Sequence, residues 1–126
     1  MYIVRKKSIL VVDDSIVVRA ALRAALANHG FDVICASGGK EALNCVQQGM
    51  AIDLIVTDFN MPDLDGDRLI EQLRHTPQAR STPILVLTGG MDQQAKDSAR
   101  RAGATGWIQK PFDTGKLVEA INKLAA

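Results

Sequence analysis

Three aspartates, a threonine and a lysine each close an apolar run in this sequence. Asp13 and Asp14 follow ILVV, Asp58 follows a run through Ile52, Leu54, Ile55 and Val56, Thr88 ends PILVLT, and Lys110-Pro111 follows the run holding Trp107 and Ile108. Such aliphatic runs read as parallel strands buried on both faces. In an open α/β sheet the carboxyl ends of the strands border one ligand crevice, near the point where the winding direction reverses. Three carboxylates gathered there repel, because two unit charges ~4 Å apart cost about 4 kcal/mol at an effective dielectric of roughly 20. They call for a cation. Carboxylate oxygens without sulfur or imidazole nearby select a hard divalent ion, and a few protein oxygens completed by water suit octahedral magnesium. Lys110 adds a second positive charge, and Thr88 adds a hydroxyl that moves by a χ1 rotation. This array suits a phosphoryl group: cations hold its spread negative charge while a carboxylate oxygen attacks in line.

The elements that must position these residues are legible from periodicity. After strand one, Ser15 caps a helix whose Val18, Ala21, Leu22, Ala25 and Leu26 form one apolar stripe, and Gly30 stops it. A strand over residues 31–36 follows, then the turn Ser37-Gly38-Gly39, and a helix bearing Ala42, Leu43 and Val46 that Gly49 ends. The third strand delivers Asp58 to the turn DFNMPDLDG, residues 58–66, and a third helix carries Leu69, Ile70 and Leu73 until a loop before Pro77. Residues 83–88 make the fourth strand, with Gly89-Gly90 opening its loop. The helix over residues 92–102 has only alanines on its apolar face, Ala95, Ala99 and Ala102, so it buries little and is the most easily displaced element. Gly103 ends it, residues 104–109 form the fifth strand, and Asp113 precedes a helix with Leu117, Ala120, Ile121, Leu124 and Ala125. Alternating strands and helices of this kind predict a single-domain, doubly wound α/β fold with a five-stranded parallel sheet covered on both faces.

Composition narrows the function. The chain has 126 residues, 47% of them apolar, and fits one domain over residues 1–126. Its 15 basic and 14 acidic residues leave a net charge of +1, which argues against nucleic acid as a direct ligand. The cluster Arg5-Lys6-Lys7 reads as a solvated tail. No run approaches the roughly 20 residues of a membrane span, and the start lacks a secretory cleavage pattern, so the expectation is a cytoplasmic protein with no membrane insertion. Cys35 and Cys45 lack the close spacing of a redox or metal pair, and His29 and His75 stand alone.

The order DD, DFNMPDLDG, LTGG and KPF resembles the receiver domain of bacterial two-component response regulators, the CheY-like family, over nearly the whole chain. That resemblance implies a flavodoxin-like (β/α)5 fold with strand order 2-1-3-4-5. It implies that Asp58 is the phosphoacceptor and a ligand of Mg2+, that Asp13 and Asp14 hold the ion directly or through water, and that Asn60 contributes its backbone carbonyl to the metal. Lys110 contacts the acyl phosphate, the Lys110-Pro111 bond is cis, and Thr88 swings toward the phosphate, drawing the following loop inward. Gly89 fits a need for a small residue beside the phosphate. The switch aromatic of the family is usually tyrosine or phenylalanine; here Trp107 stands in its place, and its larger indole rotates inward less readily. Gly90 offers no side chain to screen an acyl phosphate from water. The implied partners are a sensor histidine kinase or phosphotransfer protein and a downstream protein target, reached through the face of helix four, strand five and helix five. The implied output is binding, by a monomer or a phosphorylation-dependent dimer, in a chemotaxis-like or phosphorelay role.

Other classes remain in view. The same receiver could be excised from a larger response regulator or hybrid kinase. An aspartyl-phosphate phosphatase would also use a strand-end aspartate, but Asn60 stands two positions after Asp58 where that chemistry needs a second acid. A flavodoxin-like cofactor carrier would need glycines and hydroxyls in the first loop, where Asp13 and Asp14 stand. The reading is therefore a switch and not an enzyme.

Overall fold

The structure, a computed structural model, describes residues 6–125. Five parallel strands, β1 (Ser8–Val12), β2 (Asp32–Ala36), β3 (Leu54–Asp58), β4 (Ile84–Thr88) and β5 (Gly106–Gln109), form one sheet in the order β2-β1-β3-β4-β5. Between and after them run α1 (Ile16–Asn28), α2 (Gly39–Gln47), α3 (Gly66–Arg74), α4 (Gln93–Ala102) and α5 (Thr114–Leu124). This is the doubly wound architecture that the sequence predicts and the strand order that the family resemblance implies.

Strand side chains alternate between faces, and the core divides accordingly. Leu10, Val12, Ile55, Ile84 and Val86 point to one side, where Ala42 and Val46 of α2, Leu69, Ile70 and Leu73 of α3, and Ala99 of α4 cover them. Ile9, Val11, Leu54, Val56, Leu85 and Leu87 point to the other, against Leu22 and Leu26 of α1 and Leu117 and Ile121 of α5. Each fully buried leucine or isoleucine contributes about 1.5–3 kcal/mol relative to exposure, so the two leucine-bearing layers dominate the stability. By contrast α4 buries one residue fully, Ala99, while Ala95 and Ala102 are half-buried.

Capping follows the sequence. Ser15 accepts from Val18 N at 3.3 Å, Asp92 from Ala95 N at 2.8 Å and Asp113 from Lys116 N at 3.1 Å, each occupying a donor the helix start leaves open. Boundaries shift by a residue or two. Phe31 precedes β2 because its N–H closes α1 on the Leu26 carbonyl, and Ala104 precedes β5 because its N–H closes α4 on the Ala99 carbonyl. Ile52 lies before β3, and Pro77–Ala79 forms a 3-10 helix in place of a plain loop. The basic cluster is not wholly a solvated tail: Lys6 is exposed, Lys7 donates to the Ala125 carbonyl, and Arg5 lies outside the described residues. Cys35 and Cys45 are half-buried free thiols, and both histidines are exposed. Among the described residues no helix is long and apolar enough to cross a membrane.

Candidate functional site

Strand register assembles the site. The chain reverses its winding between β1 and β3, and Val12 stands opposite Thr57, so Asp13 and Asp58 leave the sheet side by side. Asp58 pairs with Leu87, which puts Thr88 one step farther out, and Thr88 pairs with Gln109, which puts Lys110 one step beyond that. Lys110 therefore reaches back across the rim: its Nζ lies 3.3 Å from Asp13 Oδ2 and 3.4 Å from Asp58 Oδ1. The Lys110-Pro111 bond is cis.

Asp13 is 1% exposed and Asp58 8%, whereas Asp14 is open to solvent. One oxygen from each of these three carboxylates lies within 4.8 Å of the others. Asp13 Oδ1 accepts from Ser15 N at 2.9 Å, and its backbone is held at both ends, with Asp13 N donating to Ala36 O at 3.1 Å and Arg19 Nη1 to Asp13 O at 2.7 Å. Asp58 is held less: Asn60 N approaches its Oδ1 at 3.5 Å, and the other close polar group is Lys110. Burial pushes the Asp58 carboxyl up from its ordinary value; Lys110 opposes that shift and the Asp13 charge adds to it. Among the described residues a single ammonium thus balances two buried carboxylates with a third nearby. An all-oxygen acidic set with one face open through Asp14 fits a hard divalent cation that keeps part of its water shell.

On the β4–β5 side the groups are held by lighter contacts. Thr88 is buried, its Oγ1 accepts from Gly90 N at 3.2 Å, and its carbonyl accepts from Lys110 N at 2.6 Å, so a swing of the hydroxyl breaks a hydrogen bond within its own loop. A Cβ at Gly89 or Gly90 would meet nothing within 4 Å, so both glycines border open space. Trp107 is half-buried against the α2–α4 layer, and Lys96 Nζ and Arg100 Cζ of α4 sit 5.8 Å and 5.6 Å from its ring centroid. The indole is therefore engaged by two cations from α4.

The structure brings together Asp13, Asp14, Asp58 and Lys110, with Thr88 in the adjoining row and Asn60 in the following loop. Sequence reasoning missed the residues that hold this frame. Arg74 donates from Nε and Nη2 to Gly103 O at 3.1 and 2.8 Å, and from Nη1 to Ala79 O at 2.9 Å and Thr82 O at 2.6 Å. Ser98 Oγ donates to Asp67 Oδ2 at 2.6 Å, joining α4 to α3. Asp63 accepts from the first N–H groups of α2. Only the last had a sequence signal, because Gly38 and Gly39 leave the start of α2 without a side chain to cap it.

Comparison with known proteins agrees with this geometry. The family model described as response regulator receiver domain matches residues 9–122. A curated relative, the probable chemotaxis protein CheY of Rhizobium etli, is 31% identical over 96% of this chain and 94% of its own length. Another, probable histidine kinase 6 of Oryza sativa subsp. japonica, is 29% identical over 94% of this chain, which spans only 14% of that protein's length. Among solved structures, chemotaxis protein CheY4 of Vibrio cholerae superposes with a TM-score of 0.91 at 34% identity, covering 95% of this chain and 99% of that one. The receiver domain of sensor histidine kinase PA1611 from Pseudomonas aeruginosa, with a magnesium ion coordinated in its active site cleft, superposes with a TM-score of 0.88 at 26% identity, covering 96% and 98%.

Proposed function

This chain belongs to the response regulator receiver domain family, and from that premise we propose that Asp58 receives a phosphoryl group from a phosphohistidine on a sensor histidine kinase or phosphotransfer protein. The observation that carries the reading is the cluster itself: Asp58, Asp13 and Asp14 within 4.8 Å of one another, with Lys110 Nζ 3.4 Å from Asp58 Oδ1. An Asp58 carboxylate oxygen attacks phosphorus, the P–O bond forms as the P–N bond breaks, and the electron pair leaves on the imidazole nitrogen of the donor. Lys110, already between the carboxylates, is placed to meet the negative charge of the arriving phosphoryl oxygens. Asp13, Asp14 and the Asn60 carbonyl would hold Mg2+, which supplies electrostatic stabilisation of the transferring group. With the acyl phosphate in place, Thr88 releases Gly90 N and turns toward it, Gly89 leaving room, and Trp107 responds under α4.

The output is altered binding of a downstream protein at the α4–β5–α5 face. The weak burial of α4 supports this choice, because a switching element must respond to a modest free-energy change. The protein acts as one receiver unit in the cytoplasm, in a chemotaxis-like or phosphorelay role, as a monomer or a phosphorylation-dependent dimer. A second reading keeps the same chemistry inside a longer protein; the match within the rice kinase favours it.

Intact-mass measurement after incubation with a small acyl-phosphate donor and Mg2+ tests the assignment. Wild type is expected to gain one phosphoryl group and Asp58→Asn none. An adduct of equal yield on Asp58→Asn overturns it.

A further inference from the structure

The loop that leaves Asp58 is fastened to a helix that plays no part in the chemistry. Helix α2 opens at Gly38 and Gly39, its N-cap offers no side chain, and its first N–H groups have no partner within the helix. Asp63, midway along the loop, supplies both: Oδ1 accepts from Gly39 N and Oδ2 from Lys40 N, each at 3.2 Å. The two glycines leave room for this close approach. A Cβ on Gly38 would lie 2.7 Å from Asp63 Oδ2, and a Cβ on Gly39 would lie 2.8 Å from Leu64 Cδ2. Burial alone would raise the Asp63 carboxyl, but the N–H groups of Lys40 and Gly39, together with its own N–H and the Lys40 charge, hold it below its ordinary value.

The two sides of this contact lead to the two halves of the acidic cluster. On the α2 side the chain runs back to Ala36, whose carbonyl accepts from Asp13 N at 3.1 Å. On the loop side it runs back to Asn60, whose N–H reaches Asp58 Oδ1 only at 3.5 Å. Beyond Asn60 the loop is closed by Gly66 N donating to Phe59 O at 2.9 Å, and a Cβ on Gly66 would meet that carbonyl at 2.6 Å. The Phe59–Gly66 bond sets the width of the loop, and the Asp63 contact sets where it sits relative to Asp13.

We propose that Asp63 is a positioning residue for the magnesium site: by seating the loop on the bare start of α2, it fixes the Asn60 backbone and Asp58 relative to Asp13. The proposal rests on the reading of this cluster as a Mg2+ site. Groups that orient metal ligands typically change metal affinity by 10–100-fold on removal, and the exposure of Asp63 sets the low end, so Asp63→Ala is expected to weaken Mg2+ binding by about tenfold.

Calorimetric titration with Mg2+ alone is the primary test, beside acyl-phosphate labelling at varied Mg2+. In Asp63→Ala the Mg2+ concentration for half-maximal labelling should rise by the same factor as the dissociation constant. Asp63→Asn retains an oxygen acceptor and should recover most of the affinity, while Gly38→Ala, which displaces the carboxylate, should reproduce the loss. A folded Asp63→Ala that binds Mg2+ as wild type does, or a Gly38→Ala that does so, overturns the proposal. A wild type that binds Mg2+ but takes no phosphoryl group strikes the phosphoacceptor reading alone, and the calorimetric comparison still decides the role of Asp63.

Discussion

The carboxylate rim between β1 and β3 and the α4–β5 side of the same sheet are built on opposite terms. On the rim, central strands buried on both faces carry Asp13 and Asp58 into fixed positions, and the unfavourable element is electrostatic: two buried carboxylates balanced by Lys110. Around α4 the packing is thin, and Asp67 Oδ1, beside the Ser98 contact, is buried with no hydrogen-bond partner among the described residues. One buried alanine, the Ser98–Asp67 hydrogen bond, two cations on Trp107 and the Arg74 contacts at Gly103 hold the helix. The difference is one of kind: the rim gathers buried charge, whereas α4 has the fewest buried apolar side chains of the five helices. Even so, α4 is not loose along its whole length. Gly103 at its end takes φ +120°, a conformation suited to glycine, and its carbonyl is gripped by Arg74, so the C-terminal end is the fixed one.

The largest effect expected from this contrast is on the rim. Lys110→Ala leaves Asp13 and Asp58 buried without their shared cation and should destabilise the metal-free protein by about 3 kcal/mol at neutral pH in urea denaturation. The sign with pH follows from Asp58. Burial already raises its carboxyl and Lys110 lowers it, so removing Lys110 raises it further. A carboxyl raised in the folded state favours folding below its unfolded value and loses that contribution as pH rises through the folded one. The deficit of Lys110→Ala should therefore be widest at neutral pH and shrink on acidification. A deficit that persists unchanged at acid pH would break the electrostatic account of the rim.

A smaller loss is expected on the other side. Arg74→Ala removes donors from the carbonyls of Gly103, Ala79 and Thr82 and should cost about 2 kcal/mol, with amide exchange accelerated most at the C-terminal end of α4. Uniform acceleration along α4 would show that this end is no anchor. Smallest of all, Ser98→Ala removes one hydrogen bond and should cost about 1 kcal/mol. It should also alter Trp107 fluorescence, since Ser98, Lys96 and Arg100 share the short helix over the indole. An unchanged spectrum would separate the α3–α4 contact from the indole.

Much of this was legible in the residues. Runs such as ILVV and PILVLT are short, aliphatic and bounded by turn residues, which fits strands buried on both faces, and the aspartates, threonine and lysine that end them then fall at one rim of the sheet. The all-alanine face of α4 foretold its light anchoring. The ends of β2 and β5 were less legible, because Phe31 and Ala104 each have an N–H that closes the preceding helix, and a hydropathy pattern does not record where a backbone donor goes.

By itself the sequence determined the α/β class, the residues of the acidic cluster and the weakness of α4, since these depend on residue type and on periodicity along one segment. Tertiary structure alone decided the register that sets Asp13 beside Asp58, the sharing of Lys110 between them, the seat of Asp63 on α2 and the grip of Arg74 on Gly103. Those contacts join segments up to 97 residues apart. Their partners are largely backbone N–H and C=O groups, which every residue carries and which only the folded chain distinguishes.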